Sequence, residues 1–310
     1  MRQVAINKIH ELAQRDPRVL FIGSDLGAGT LKDMKAEMPD RFLMEGVAEA
    51  HIIGMAAGLA MEGFIPYINT IATFLTRRCF EQIAIDLCLD NLPVRLIASG
   101  GGVVYAPLGP THIAFDDIAI LRSLPNMAIV AASDAEEMAR LMASSLDWNG
   151  PLYIRLAKGG DPIISKPEPG FSIGRAILMR PEGEVLLVGT GPVTGRALAA
   201  ADLLAGEGIR ARVLHAHTLK PFDVDALVRA AEGVRLVATV EEHSIVGGLG
   251  SIVLETLSDA GILVPTLRIG LPDRFPEGYG SQDHLLTKAG ITPSGIAERV
   301  ARHMSQSGRQ

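Results

Sequence analysis

The sequence predicts two three-layer α/β domains, each built on a mostly parallel sheet. Three observations carry that expectation. Short apolar runs alternate with longer helical patterns along both halves of the chain. The runs are continuous rather than alternating, as in Val19–Gly23 (VLFIG) and Val94–Ala98, which suits strands covered on both faces. Between the halves, residues 158–174 (KGGDPIISKPEPGFSIG) carry three Pro and four Gly and read as a linker. The expected division is a first domain over 1–160, a linker over 161–178 and a second domain over 179–310.

In order, strands are expected at Val19–Gly23 and Phe42–Met44, separated by the turn SDLGAGT (24–30) and a helix over 31–38. A helix over Val47–Ala60 follows, then a strand at Phe64–Thr70 and a helix from Phe74 to Cys88 with apolar spacing at Phe80, Ile83, Ala84 and Leu87. After the strand Val94–Ala98, a Gly-rich loop runs to His112 and a helix is expected from Ile113 to Ser123. Ala128–Ala131 reads as a strand, Asp134 as the N-cap of a helix to Ser145, and Pro151–Leu156 as the closing strand. The second half starts with an edge strand somewhere in 170–180. It continues with strands near 184–191, 211–215, 234–240 and 264–269 and helices through Leu204, over 224–231 and over 249–260. The tail 282–304 is helical, with Ser281 and Thr292-Pro293 as start signals.

The chain has 310 residues, 48% of them hydrophobic, enough for about two domains with substantial cores. Net charge is −6 with no basic block, which argues against nucleic acid and anionic membranes as partners. Cys79 and Cys88 have neither metal-site nor redox spacing and read as buried thiols in a reducing compartment. MRQVAINKIHELAQ is an amphipathic helix rather than a signal peptide, and no apolar run approaches a membrane span. A cytoplasmic location is expected.

The helix over 47–60 holds the first candidate for chemistry. It is apolar nearly all round, the mark of a helix buried on every side, yet Glu49 lies in its first turn. A carboxylate there costs several kcal/mol unless it is paired, protonated or used, and the helix N-terminus offsets that only in part. Gly54 and Gly58, four apart on one face, would let another helix or a flat ring approach closely. A core helix with an ordinary acidic first turn explains the same residues equally well.

Other motifs are weaker. GTGPVTG (189–195) follows a strand and opens a helix, but its spacing is wrong for a dinucleotide fingerprint, and no acidic residue ends the next strand. SDLGAGT lacks the Lys of a P-loop. VEEHSIVGGLGS (240–251) places two acids, a His and a Gly-rich turn at the end of a strand, where α/β sites tend to lie; a polar turn capping the next helix explains it at least as well, and it lacks a third ligand for a metal. In APLGPTHIAFDD (106–117), a turn runs directly into the expected helix. His112 is thereby placed near a helix N-terminus, where it could exchange a proton near neutral pH or simply cap the helix.

With AEAHIIGMAAGLA (48–60), Thr70–Phe80, GPTH (109–112), TLKPFD and EEHSIVGGLGS in view, nearly the whole chain resembles the C-terminal half of transketolase. More broadly it is similar to the thiamine-diphosphate enzymes of the transketolase, deoxyxylulose-phosphate synthase and 2-oxoacid dehydrogenase group. The resemblance implies a pyrimidine-binding domain followed by a transketolase C-terminal-like domain. It implies that Glu49 hydrogen-bonds the aminopyrimidine of thiamine diphosphate and that Phe74, or its neighbour Leu75, packs on that ring. His112 would handle donor hydroxyl protons, Arg155 would bind sugar phosphate, and Asp25 would lie near cofactor and subunit contacts. The GDG motif that holds diphosphate and a divalent metal in the family is absent from the sequence. A split enzyme is therefore expected. The chain holds no metal; Mg²⁺ (or Ca²⁺) and diphosphate belong to a separate N-terminal-type subunit, in a two-fold heterotetramer.

Two positions depart from the family pattern: Leu108 stands where transketolases often carry Asp, and Gly100 where they carry a second substrate His. Both remove polar contacts to a sugar, which favours a specialised ketol transfer. Competing expectations are the β subunit of a 2-oxoacid dehydrogenase or a decarboxylating synthase, and a non-catalytic assembly partner.

Overall fold

The computed structural model of the chain describes residues 1–24, 31–168 and 170–307. Helix α1 (Arg2–Arg15) buries Ala5, Ile6, Ile9 and Leu12, one apolar stripe at helical spacing. Strand β1 (Val19–Gly23), helix α2 (Lys32–Glu37) and strand β2 (Phe42–Met44) follow, then α3 (Glu49–Met61) and β3 (Ile65–Ile71). Next come α4 (Ala72–Arg77), the short α5 (Phe80–Gln82) with a π-helical turn over Ile83–Leu89, and β4 (Arg95–Ser99). Helix α6 (Asp117–Arg122), β5 (Ala128–Ala131), α7 (Ala135–Ser145) and β6 (Leu152–Leu156) complete the first unit. Asp134 caps α7, accepting from the N–H groups of Glu136 and Glu137.

The second half runs β7 (Ile177–Arg180), β8 (Val185–Gly189), α8 (Val193–Gly206), β9 (Ala211–His215), β10 (Thr218–Lys220) and α9 (Val224–Ala231). It ends with β11 (Leu236–Ser244), α10 (Leu249–Asp259), β12 (Thr266–Leu271), α11 (Gln282–Lys288) and α12 (Pro293–Ser307). Two sheets result. One has the order β10-β5-β6-β4-β3-β1-β2 and is parallel except for β10; the other has the order β12-β11-β8-β9-β7 and is parallel except for β7. Two α/β units with mostly parallel sheets are thus present, as the continuous apolar runs predict. Strand β10 crosses back from the second half to pair with β5, Thr218 facing Val130. An apolar cluster also spans both halves, joining Ile118 and Met127 to Val188 and Leu214.

Several expectations need correction. The helix expected over 74–88 breaks at Cys79, whose backbone leaves helical values before α5 begins. The helix expected from Ile113 starts only at Asp117, so His112 does not sit at a helix N-terminus. Helix α3 is not buried on every side: His51, Gly54, Gly58 and Met61 are exposed, and a Cβ on Gly58 would meet nothing within 4 Å. Its apolar composition reflects an open face as well as the core. Strand β11 runs through Ser244, so Glu241, Glu242 and His243 are buried strand residues rather than a turn: Glu241 accepts from the Leu249 and Gly250 N–H groups that open α10, while Glu242 and His243 reach the first unit.

Candidate functional site

Four side chains meet at the N-terminal end of α3. Glu49 opens that helix with only 2% exposure. Arg78, just past α4, donates from Nη1 to Glu49 Oε2 at 2.7 Å. Its guanidinium lies over the Phe74 ring, 4.5 Å from the centroid. Phe74 in turn makes an edge contact with the His112 imidazole, centroids 5.2 Å apart. His112 Nδ1 is 2.9 Å from Thr111 Oγ1. Glu49 Oε1 accepts no hydrogen bond from the described residues. Three sequence candidates separated by up to 63 positions, Glu49, Phe74 and His112, therefore form one continuous contact chain.

The helical geometry of α4 places the two candidates Phe74 and Leu75 on different faces. Phe74 is half-buried and faces the site, whereas Leu75, about 100° further round, is fully buried in the core. Leu75 is thus a packing residue. Arg78 carries no motif in the sequence, although it lies four residues after Phe74 on a helical pattern, the spacing at which side chains meet. Asp25 lies outside the described residues.

Arg155 does not reach this site with a free guanidinium. It is 6% exposed, and its Nε and Nη2 donate to Asp117 Oδ2 and Oδ1 at 2.7 and 3.1 Å. Nη2 also donates to the carbonyls of Ala114 and Glu242 at 3.2 and 3.0 Å. Tyr153 completes the cluster, donating to Asp117 Oδ2 at 2.7 Å. Burial is the strongest single influence and opposes ionisation of Asp117, but the charge and hydrogen bond of Arg155, with His243 and the Tyr153 hydroxyl, together hold the carboxyl below its ordinary range. Two of the three guanidinium nitrogens are thus committed within the protein, and Nη1 donates to none of the described residues; the phosphate-binding expectation for Arg155 carries forward as a proposal.

The remaining candidates lie around the His112 loop. Gly100 has φ +82°, and a Cβ there would overlap the Tyr105 ring. Leu108 is exposed at the loop's outer edge. Arg77 forms a two-pronged pair with Asp116 at 2.7–3.1 Å and covers the Phe115 ring. Beside the site, α3 presents Gly54, Gly58 and Met61 to solvent, and Met44 and Val47 are exposed just before that helix. Burial pushes the nearby Cys79 thiol up to about 12, with the Glu49 charge adding to the effect, so it is no nucleophile at neutral pH. Among the described residues no group of three His, Cys, Asp or Glu could hold a metal ion, and no helix is long and apolar enough to cross a membrane.

Comparison with known proteins adds a second line of observation. The family model described as "Transketolase, pyrimidine binding domain" matches residues 1–160, and "Transketolase, C-terminal domain" matches 174–296. The chain is 36% identical to the 6-deoxy-6-sulfo-D-fructose transketolase subunit SqwH of Clostridium sp. (strain MSTE9), covering 99% of this chain and 94% of that one. It is 39% identical to the 1-deoxy-D-xylulose-5-phosphate synthase of Synechococcus sp. (strain JA-2-3B'a(2-13)) across 94% of its own residues, but spans only 45% of that relative's length. Among solved structures, one titled "Split gene transketolase, inactive beta4 tetramer" superposes with a TM-score of 0.89 at 36% identity, over 97% of both chains.

Proposed function

The chain belongs to the transketolase family, and from that premise we propose that it is one subunit of a split, thiamine-diphosphate-dependent transketolase. In this reading it transfers a two-carbon ketol unit between sugar phosphates. It acts only together with a separate subunit that holds the diphosphate and a Mg²⁺ (or Ca²⁺) ion. The observation that carries the reading is the buried Glu49 carboxylate set beside the Phe74 ring and the His112 imidazole.

The residues suit the aminopyrimidine half of the cofactor. Arg78 is a flat, hydrogen-bond-donating group that stacks on Phe74 and bonds to Glu49, and an aminopyrimidine needs the same two contacts. When bound, thiamine diphosphate supplies the nucleophilic carbon and the electron sink for carbon–carbon cleavage. Glu49 holds a proton at the pyrimidine ring nitrogen, in a site dry enough to strengthen that bond. Phe74 fixes the plane of the ring. His112 takes up or returns protons of the donor sugar's hydroxyls. The open apolar face of α3, with glycines at 54 and 58, gives the partner subunit a surface for close approach.

Two relatives support the subunit arrangement. SqwH and the split-gene transketolase both match this chain over nearly their whole length. The synthases, which the chain matches over less than half their length, favour a second reading: a decarboxylating synthase using pyruvate. The test is to mix the chain with its candidate partner, thiamine diphosphate and Mg²⁺. Xylulose 5-phosphate, 6-deoxy-6-sulfo-D-fructose and pyruvate are then offered as donors with an aldose acceptor. Ketol transfer from xylulose 5-phosphate supports the first reading as stated; transfer from 6-deoxy-6-sulfo-D-fructose alone keeps the transketolase but replaces the sugar phosphate as its donor. Turnover of pyruvate alone would replace it with the second, and cofactor binding with no turnover would make the chain an assembly partner.

A further inference from the structure

The loop from Gly100 to Asp116, which carries His112, is held by the second half of the chain. Glu242 on β11 crosses to it: Oε1 accepts the Val103 N–H at 2.8 Å. The same carboxylate accepts from Gln282 Nε2 at 3.0 and 2.9 Å, so both oxygens are occupied. A Cβ on Gly102, at φ +71°, would lie 2.5 Å from Glu242 Cγ; the close approach requires glycine. Around this point, the Ser244 N–H donates to the Phe115 carbonyl at 2.7 Å and the Ala119 N–H to His243 Nε2 at 3.3 Å. The loop closes on itself through Gly102 and Ala114, which exchange both backbone hydrogen bonds at 2.9 Å. Val103, Ala106, Ile113 and Phe115 are buried in the same apolar cluster as Val185 and Val240 of the second sheet.

We propose that the second half of the chain positions His112 for catalysis, with Glu242 as the positioning residue, an inference that rests on the role given to His112 above. Glu242 touches neither His112 nor a reacting atom. It fixes the backbone at Val103 and Gly102, and the Gly102–Ala114 closure carries that constraint to the far end of the loop, two residues past His112. A buried carboxylate whose two oxygens both accept hydrogen bonds, one across the contact to Val103 and both from Gln282 of its own half, gives one register, whereas an apolar side chain would permit several. The C-terminal unit is thus part of the active-site framework.

The experiment replaces Glu242 with Met, which fills similar space without an acceptor, and with Gln, whose single amide oxygen can still accept from Val103. Amide hydrogen exchange is read on the chain itself. In Glu242→Met, residues 100–116 exchange about tenfold faster, while β3 and β4 keep wild-type protection, and Glu242→Gln lies between. In the reconstituted complex, kcat falls of order tenfold to a hundredfold, and the half-saturating thiamine diphosphate concentration stays within about twofold. Should Glu242→Met fold poorly, Gln282→Met removes the second donor from outside the loop and gives the same pattern in weaker form. Unchanged exchange over 100–116, or faster exchange spread evenly over the chain, overturns the proposal. A wild-type complex without ketol transfer would instead overturn the functional reading, and the exchange pattern would still decide whether Glu242 holds the loop.

Discussion

Arg78 bonds to Glu49 at 2.7 Å while lying over the Phe74 ring at 4.5 Å, so one guanidinium touches both residues proposed to hold the cofactor's pyrimidine. Arg78 is 48% exposed and Glu49 is 2% exposed. The flexible, solvated partner is therefore the arginine, and the carboxylate is the fixed point. On the proposed function, that asymmetry would let the cofactor displace Arg78 while α3 stays in place.

Glu49 is the first residue to test. Glu49→Ala should abolish turnover in the reconstituted complex, with a loss of at least about a hundredfold, as expected when a preorganised electrostatic contact is removed. The fold should survive, since the residue opens a helix and does not fill the core. Near-native turnover alongside an unchanged melting temperature would refute the assignment.

Two ion pairs should respond differently to truncation. Arg78→Met removes a half-exposed partner that water can partly replace but leaves the buried Glu49 carboxylate unpaired, and should cost about 1–3 kcal/mol. Arg155→Met leaves Asp117 charged and buried, and should cost about 3–5 kcal/mol. Urea unfolding of the two variants side by side measures the contrast; equal losses would show that Arg155 is not the structural tie described.

Acid should weaken the chain through His217. Burial, reinforced by the neighbouring His215 charge, lowers its pKa to about 4 from the ordinary 6.5. The folded state therefore binds fewer protons than the unfolded one between those values, and stability falls as pH drops through that window. The loss amounts to at most about 3 kcal/mol, at 1.36 kcal/mol per unit. Glu137 adds to it at lower pH. Burial works against its ionised form, but His215 and the Ser133 N–H hold its pKa down to about 2. Its contribution is present above 4.5 and lost as pH falls through 2. Melting temperature against pH should slope downward from 6.5, and His217→Gln should flatten the segment between 6.5 and 4.

Restoring a histidine at position 100 should fail. The site has a left-handed backbone, and the Tyr105 ring occupies the space of a Cβ. Gly100→His should destabilise the chain by about 1–3 kcal/mol and displace the loop. Gly100→His combined with Tyr105→Ala, which clears the space, should regain part of that loss in thermal unfolding.

The open face of α3 predicts an association defect without a folding defect. Gly58→Gln adds bulk where a Cβ meets nothing within 4 Å, and glutamine favours helix over glycine. The isolated chain should melt at the same temperature or higher. Sedimentation of the mixture with the partner subunit should show at least tenfold weaker assembly; unimpaired assembly would place the interface elsewhere.

By itself, the sequence determined the two α/β units, because uninterrupted apolar runs such as VLFIG have one physical use in a parallel sheet, and it marked Glu49, since an acid within an apolar helix needs an explanation. The resemblance left Phe74 and Leu75 as alternatives, one residue of helical phase apart. Tertiary structure alone decided that phase, the partnership of Arg155 with Asp117, and the burial of Glu241 to His243 within β11. Those three depend on partners as distant as the 139 residues between Val103 and Glu242, a distance no local pattern records. A charged run reads as a turn until the chain supplies buried donors for it, and only the fold can bring those donors there.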